Sequence, residues 1–269
     1  MAVDINLMKG DCLDVMKGIK NNMIDLTVTS PPYDDLRSYN GNNNTWNKQA
    51  WESIIKELYR VTKDGGVVVW VVGDATLDGT ESGTSFSQAL YAKKCGFNLH
   101  DTMIYHKKAV GACGSHYGYN QSFEYMFVFS KGRPKTFNPI KDIFPQRAGK
   151  ITNYSVERST QDGYIMETHK KLTPASSKRQ NVWSYDIGYG GGNDKTNHPA
   201  TFPEKLAHDH ILSWSNEGDI VFDPFMGSGT TGKMAKSLGR NFIGVELDET
   251  YFDDAVVRIN RIKTKKKLF

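Results

Sequence analysis

Val221-Phe222-Asp223-Pro224-Phe225-Met226-Gly227-Ser228-Gly229-Thr230-Thr231-Gly232 is the stretch that decides the fold. It predicts a short buried strand ending in a glycine-rich turn, then a helix through Lys233-Met234-Ala235 to Ser237-Leu238-Gly239. A second strand follows at once, Asn241-Phe242-Ile243-Gly244-Val245-Glu246-Leu247, with an acid at its tip. This is a β-α-β unit. Such units hold the adenosine half of a cofactor at the C-terminal edge of a parallel sheet.

Three cofactors compete for the turn. Gly227 to Gly232 fits the dinucleotide fingerprint, with Glu246 close to the roughly 20 residues at which a ribose-binding acid is expected. Gly227 to Lys233 nearly fits a phosphate-binding P-loop, but Met234 stands where a Ser or Thr would hold magnesium. Neither accounts for Asp223 at the strand end. A carboxylate there repels a pyrophosphate and suits a ligand that presents an ammonium group. S-adenosylmethionine, which carries both an ammonium and a ribose, is the third candidate and the one Asp223 favours.

At 269 residues and 38% hydrophobic content, the chain can bury one sizeable core, with or without an insert. Its formal charge of +4 is compatible with a nucleic-acid partner without demanding one. Cys12, Cys95 and Cys113 are widely spaced, with no CxxC pair and no metal-ligand pattern, so they read as thiols in a reducing compartment. No leader-like or membrane-spanning apolar run is seen, and a cytoplasmic protein without a membrane partner is expected.

Ile5-Asn6-Leu7-Met8 predicts a strand, and Leu13, Val15, Met16 and Ile19 one face of a short helix. Asp11, between them, is placed either to accept from an adenine amino group or to cap that helix. Met23 to Thr29 predicts a strand that stops abruptly at Ser30-Pro31-Pro32-Tyr33. Two prolines neither continue a ladder nor open a helix normally. They make a stiff turn with a hydroxyl at its start and a ring at its end. Chemistry on a flipped base needs that pairing: an acceptor for an exocyclic amine and a flat surface to stack on.

Together, Ser30-Pro31-Pro32-Tyr33 and Asp223-Pro224-Phe225-x-Gly227-x-Gly229 resemble the DNA amino-methyltransferases, which modify N4 of cytosine or N6 of adenine. The tetrapeptide precedes the cofactor loop, which is the circularly permuted order of that family's β group. The resemblance covers most of the chain and is weakest between Gly132 and Lys195. It implies an α/β, Rossmann-like, S-adenosylmethionine-dependent fold acting on double-stranded DNA. A homodimer and a companion restriction endonuclease are left open. The element order then predicts a mostly parallel, seven-stranded sheet with one reversed strand.

Residue by residue, the resemblance assigns catalysis to Ser30, Pro31, Pro32 and Tyr33, with Tyr33 stacking on the target base. Asp223 is expected at the cofactor ammonium, Glu246 at the ribose, and Asp11 with Cys12 at the adenine edge. Pro224, Phe225, Gly227, Gly229 and Thr230 are expected to shape the wall, with Phe202 or His198 packing on the cofactor. Serine at the head of the tetrapeptide resembles the cytosine-N4 enzymes, so that amine is favoured, with adenine N6 as the alternative. The chain has no Pro-Cys dipeptide, the nucleophile of a cytosine-C5 enzyme. Rival readings are a methyltransferase acting on RNA or a protein amide, a catalytically silent DNA-binding subunit, and a dinucleotide- or ATP-dependent enzyme.

The remainder organises around these motifs. Trp51 to Val61 predicts a helix with a buried stripe, ended by Lys63-Asp64-Gly65-Gly66, and Val67 to Val72 a fully buried strand. Phe86 to Lys94 predicts a helix. Asn98–Tyr105 and Phe123–Phe129 predict an antiparallel pair, with His106, Lys107 and Lys108 just past the first strand. The expected division is a catalytic half over 1–130, a target-recognition insert over 131–195 and a cofactor half over 196–269. The insert shows little helical or strand period, and its basic residues alternate with aromatics, as in DNA-reading segments. Arg258, Arg261 and the lysines after them read as a solvated helix end.

Overall fold

The computed structural model describes residues 3–32, 46–108, 118–160, 163–186 and 203–262. Tyr33, His198, Phe202, Cys113 and the C-terminal lysines lie outside the described residues. The elements are β1 (Ile5–Lys9), α1 (Cys12–Gly18), β2 (Ile24–Thr29), α2 (Lys48–Val61), β3 (Thr62–Val72), β4 (Thr76–Leu77), β5 (Thr80–Glu81), α3 (Thr84–Cys95) and β6 (Asn98–Lys108). They continue with β7 (Phe123–Ser130), β8 (Ile151–Thr160), β9 (Gly163–Leu172), β10 (Val182–Asp186), α4 (Glu204–Trp214), β11 (Ile220–Asp223), α5 (Thr230–Ser237), β12 (Asn241–Glu246) and α6 (Glu249–Asn260). Two compact units result: a body of Met1–Asn138 with Asn181–Phe269, and a smaller unit of Pro139–Gln180.

In the body, one sheet runs β1-β12-β11-β2-β3-β7-β6-β10. All neighbours pair in parallel except β7, which is antiparallel to both β3 and β6. The α/β class with a single reversed strand is as expected, but among the described residues the sheet has eight strands, not seven. The extra strand is β10, paired in parallel with the end of β6 at the sheet edge. Its sequence, Val-Trp-Ser-Tyr-Asp, alternates strictly, with Trp183 and Tyr185 buried between exposed neighbours. Five residues beside a glycine-rich run were too few to stand out as a period.

Two further boundaries move. Lys63 to Gly66 does not separate α2 from its strand, because β3 begins directly at Thr62. The pairing with β2 jumps from Ile24–Thr62 to Leu26–Val67, so these residues form a bulge within the strand, with Gly65 at φ +81°. His106, Lys107 and Lys108 belong to β6 itself: His106 pairs with Phe123, and Lys107 is held 2.6 Å from Glu124.

The strand alternation sorts the core into two faces. Val68, Trp70 and Val72 of β3 meet Trp51, Ile54, Ile55 and Leu58 of α2, together with α1 and α3. Val67, Val69 and Val71 are buried on the opposite face. Met126 of β7 shares that opposite face and lies 3.2 Å from His210 of α4, which belongs with α5 and α6 to the second helical layer. Each large apolar side chain fully buried is worth about 1.5–3 kcal/mol. The stripe on α2 therefore outweighs the cap at its start, where Asn47 accepts from the Ala50 amide and is worth about 1 kcal/mol.

The smaller unit is built on the β8–β9 hairpin, ten residues a side in continuous antiparallel register. Arg179, paired with Asp142 at 2.5 Å, and the Ile143–Ser177 bridge close its base.

Candidate active site

The chain reverses its direction of travel across the sheet between β11 and β2. From β11 it passes through α5 to β12 on one side; from β2 it passes through α2 to β3 on the other. Ligands of open α/β sheets sit at such a switch point, outside the carboxyl ends of the strands. Both expected motifs leave from it: Ser30-Pro31-Pro32 from the end of β2, and Asp223-Pro224-Phe225 from the end of β11.

A hydrogen bond ties the two together. Thr29 Oγ1, at the last position of β2, donates to Asp223 Oδ1 at 2.6 Å, and the Phe225 amide donates to the same oxygen at 3.1 Å. Thr231 of α5 also bonds this carboxyl, and its hydroxyl lies 3.1 Å from the Val28 carbonyl. Asp223 is 1% exposed, and burial pushes its carboxyl up to about 7 despite these donors.

Glu246 occupies the tip of β12. Oε2 accepts the Gly227 amide at 2.7 Å and Oε1 the Asp248 amide at 2.8 Å, so both oxygens are oriented by backbone donors. Burial raises its pKa. Asp11 lies beside it, since the Gly10 amide donates to the Glu246 carbonyl at 2.9 Å. Asp11 Oδ1 caps α1, accepting from Leu13 at 2.8 Å and Asp14 at 3.3 Å. Cys12 opens that helix in a buried position, and burial pushes its thiol up to about 12, which leaves it protonated and inert.

The turn itself has two kinds of glycine. Gly227 and Gly229 adopt φ of +51° and +80°, where an L side chain is strained. At Gly229 a Cβ would also meet the Ala255 Cβ of α6 at 3.0 Å. The close approach there is by α6. Pro224 and Thr230 are buried, and Phe225 meets Trp46 and Trp70 edge-on, at centroid distances of 5.5 and 6.3 Å.

The structure adds residues that the sequence reading missed or misjudged. Arg258 is no solvated end: it is 7% exposed, and its guanidinium donates to the Ser228 carbonyl and, at 2.8 Å, to Ser228 Oγ. Glu204 of α4 completes the group, 2.7 Å from Lys233 and 3.4 Å from Arg258. The position of Arg258, three residues after the buried Ala255 and seven after the buried Tyr251, was the available signal for burial. Thr29 was legible only as a strand residue.

This geometry also weighs the rival cofactors. The lysine a P-loop would aim at phosphate is buried against Glu204, and the first amide of the turn is taken by Glu246 rather than offered to a pyrophosphate. A buried acid, Asp223, and a half-buried one, Glu246, around a glycine turn suit a ligand with a cation and a diol.

A family model described as DNA methylase, of the N6/N4 methyltransferase kind, matches residues 24–257, and the chain belongs to that family. It is 53% identical over 240 residues to the orphan methyltransferase M.BamHII of Bacillus amyloliquefaciens, covering 88% of each chain. It is 26% identical to the type II methyltransferase M.ScaI of Streptomyces caespitosus, over 95% of this chain and 81% of that one. Among solved structures, the cytosine-N4-specific PvuII DNA methyltransferase superposes with a TM-score of 0.71 at 20% identity, over 98% of this chain and 89% of that one. The M1.HpyAVI complex with S-adenosylmethionine superposes at 0.62 with 24% identity, over 94% and 99%.

Proposed function

We propose that this protein moves a methyl group from S-adenosylmethionine to the exocyclic amine of a base flipped out of duplex DNA, with cytosine N4 the favoured atom. The observation that carries the reading is the pairing at the switch point: the tetrapeptide and the acidic glycine turn leave adjacent strands and are tied by the Thr29–Asp223 hydrogen bond. A cofactor seated by the turn thereby lies beside the groups that hold the amine.

When bound, S-adenosylmethionine supplies a methyl group made electrophilic by its sulfonium. Asp223 would hold the ammonium, Glu246 the ribose hydroxyls, and Asp11 the adenine edge. An exocyclic amine is a poor nucleophile because its lone pair is delocalised into the ring. Ser30 Oγ and the Pro31 carbonyl act as acceptors for its hydrogens, which localises that lone pair. The two prolines stiffen the backbone that carries both acceptors, which reduces the entropy lost in positioning. Tyr33 stacks on the base.

Serine rather than Asp or Asn at position 30 is what favours cytosine, since a neutral hydroxyl heads the tetrapeptide in enzymes of that kind. The segment around Pro139–Gln180 takes the role of target recognition. The test is nucleoside mass spectrometry of duplex DNA incubated with the protein and S-adenosylmethionine. N4-methylcytosine is the expected product. N6-methyladenine would overturn the base assignment alone; no methylated base, with cofactor bound, would overturn the substrate.

A further inference from the structure

The β8–β9 hairpin has two unlike faces. Cross-strand partners share a face, so Ile151, Asn153, Ser155, Glu157 and Ser159 of β8 lie with Leu172, Lys170, Thr168, Met166 and Tyr164 of β9. Every residue of this first face is exposed. The second face is tied up with itself: Glu167 lies 3.6 Å from Arg158 and 3.4 Å from His169, whose ring packs on Tyr154 at 5.5 Å. On the first face, Ser155 bonds to Thr168 at 3.3 Å.

An isolated two-stranded hairpin is marginally stable in water, and Tyr164, Met166, Ile151 and Leu172 at 62–73% exposure make this one costly to leave bare. The charge of the unit around it says what covers it, the face itself balancing Lys170 against Glu157. Pro139–Gln180 holds eight Lys and Arg against four Asp and Glu, a surplus equal to the +4 of the whole chain, so the remaining residues balance to zero. A polyanion is the fitting occupant. A two-stranded ribbon enters a major groove about 12 Å wide and not a minor groove about 6 Å wide. At about 3.3 Å per residue, its ten-residue strands reach along roughly one turn of duplex.

We infer that the first face of the hairpin reads base edges in the major groove, with Asn153 and Lys170 as the principal specificity-determining residues. The side-chain chemistry matches the groove's code. An amide pairs with adenine, a lysine ammonium with guanine, the hydroxyls of Ser155 and Thr168 with several edges, and Met166 or Ile151 with a thymine methyl. The second face, where Glu167 is held between Arg158 and His169, turns outward. This deepens the DNA-methylation reading and rests on it.

The test uses the full-length protein. Its methylated sites are first read out by sequencing a random duplex pool treated with the protein and S-adenosylmethionine. If the parent methylates nothing, the DNA-methylation reading has failed and not the face assignment. Asn153→Ala and Lys170→Ala are then compared with Thr152→Ala and Lys171→Gln on the second face. Expected is a loss of discrimination between cognate and single-mismatch duplexes of about tenfold to hundredfold for the first pair only. Melting temperature and cofactor affinity should hold in all four. Unchanged site preference in the first pair, or an equal change in the second, would overturn the inference. So would Met166→Glu converting a dimer to a monomer in sedimentation, because a second copy would then be the occupant.

Discussion

Asp223 combines burial with a proposed task that needs charge. Its folded pKa, about 7, lies above its ordinary 3.8, so the cofactor-free fold holds the proton more tightly than the unfolded chain does. Stability from this group is therefore full below pH 3.8 and is lost as pH rises towards 7. Each unit of displacement is worth about 1.4 kcal/mol, so ionised Asp223 costs the cofactor-free fold a few kcal/mol. Asp223→Asn should raise the melting temperature of the cofactor-free protein at about pH 8, with a smaller gain at about pH 5. The same change should weaken S-adenosylmethionine by about tenfold to hundredfold in titration, the worth of a charged hydrogen bond. A variant that binds normally would remove Asp223 from the site. Arg258 acts on the same turn from the other side. Arg258→Met leaves the buried Ser228 carbonyl without its donor, at a cost of about 1–3 kcal/mol. Cofactor affinity should fall and Arg258→Lys restore part of it; if calorimetry shows no change in affinity, the brace has no bearing on binding.

Among the elements, α5, β12 and α6 are locked by missing side chains. At Gly232 a Cβ would come within 2.5 Å of Phe242 and 2.6 Å of Ile259. Gly232→Ala should therefore destabilise by about 1–3 kcal/mol, the usual cost of overfilling a packed interior, as read from denaturant midpoints. A midpoint equal to that of the parent would show that α6 can move aside freely. This packing explains why the glycines exceed what a cofactor turn needs. Gly227 serves backbone conformation and Gly229 both conformation and the approach of α6, whereas Gly232 and Gly244 make room for the side chains of Phe242, Ile259 and Met226.

Over the whole molecule, charge and chemistry are segregated. The body is electrically balanced and carries the acids of the turn, while Pro139–Gln180 carries the surplus of positive charge. If that unit meets the duplex, its exposed Lys141, Arg147 and Lys150 release counterions on binding. Changing each to Gln should lower the slope of log affinity against log salt by up to about 0.9 for every phosphate that is no longer neutralised. Cofactor affinity should stay constant throughout. An unchanged slope in the triple variant would assign phosphate neutralisation to other residues.

Most of the candidate site could be read before any folding was known, because the motifs that propose it are local. Ser30-Pro31-Pro32 and Asp223-Pro224-Phe225-Met226-Gly227 are fixed by backbone geometry, two prolines that stiffen one turn and glycines that permit the other. The β-α-β order of the C-terminal third and the alternating or continuous apolar runs revealed the sheet class for the same reason. The eighth strand, the bulge in β3 and the extent of β6 depended on partners far along the chain. Short segments carry too little period to announce a pairing that only the sheet supplies. The Thr29–Asp223 bond, across 194 positions, and the burial of Arg258 against Ser228 belong to the tertiary structure alone. A threonine in a strand and an arginine near a helix end look ordinary until packing removes the water that would otherwise satisfy them.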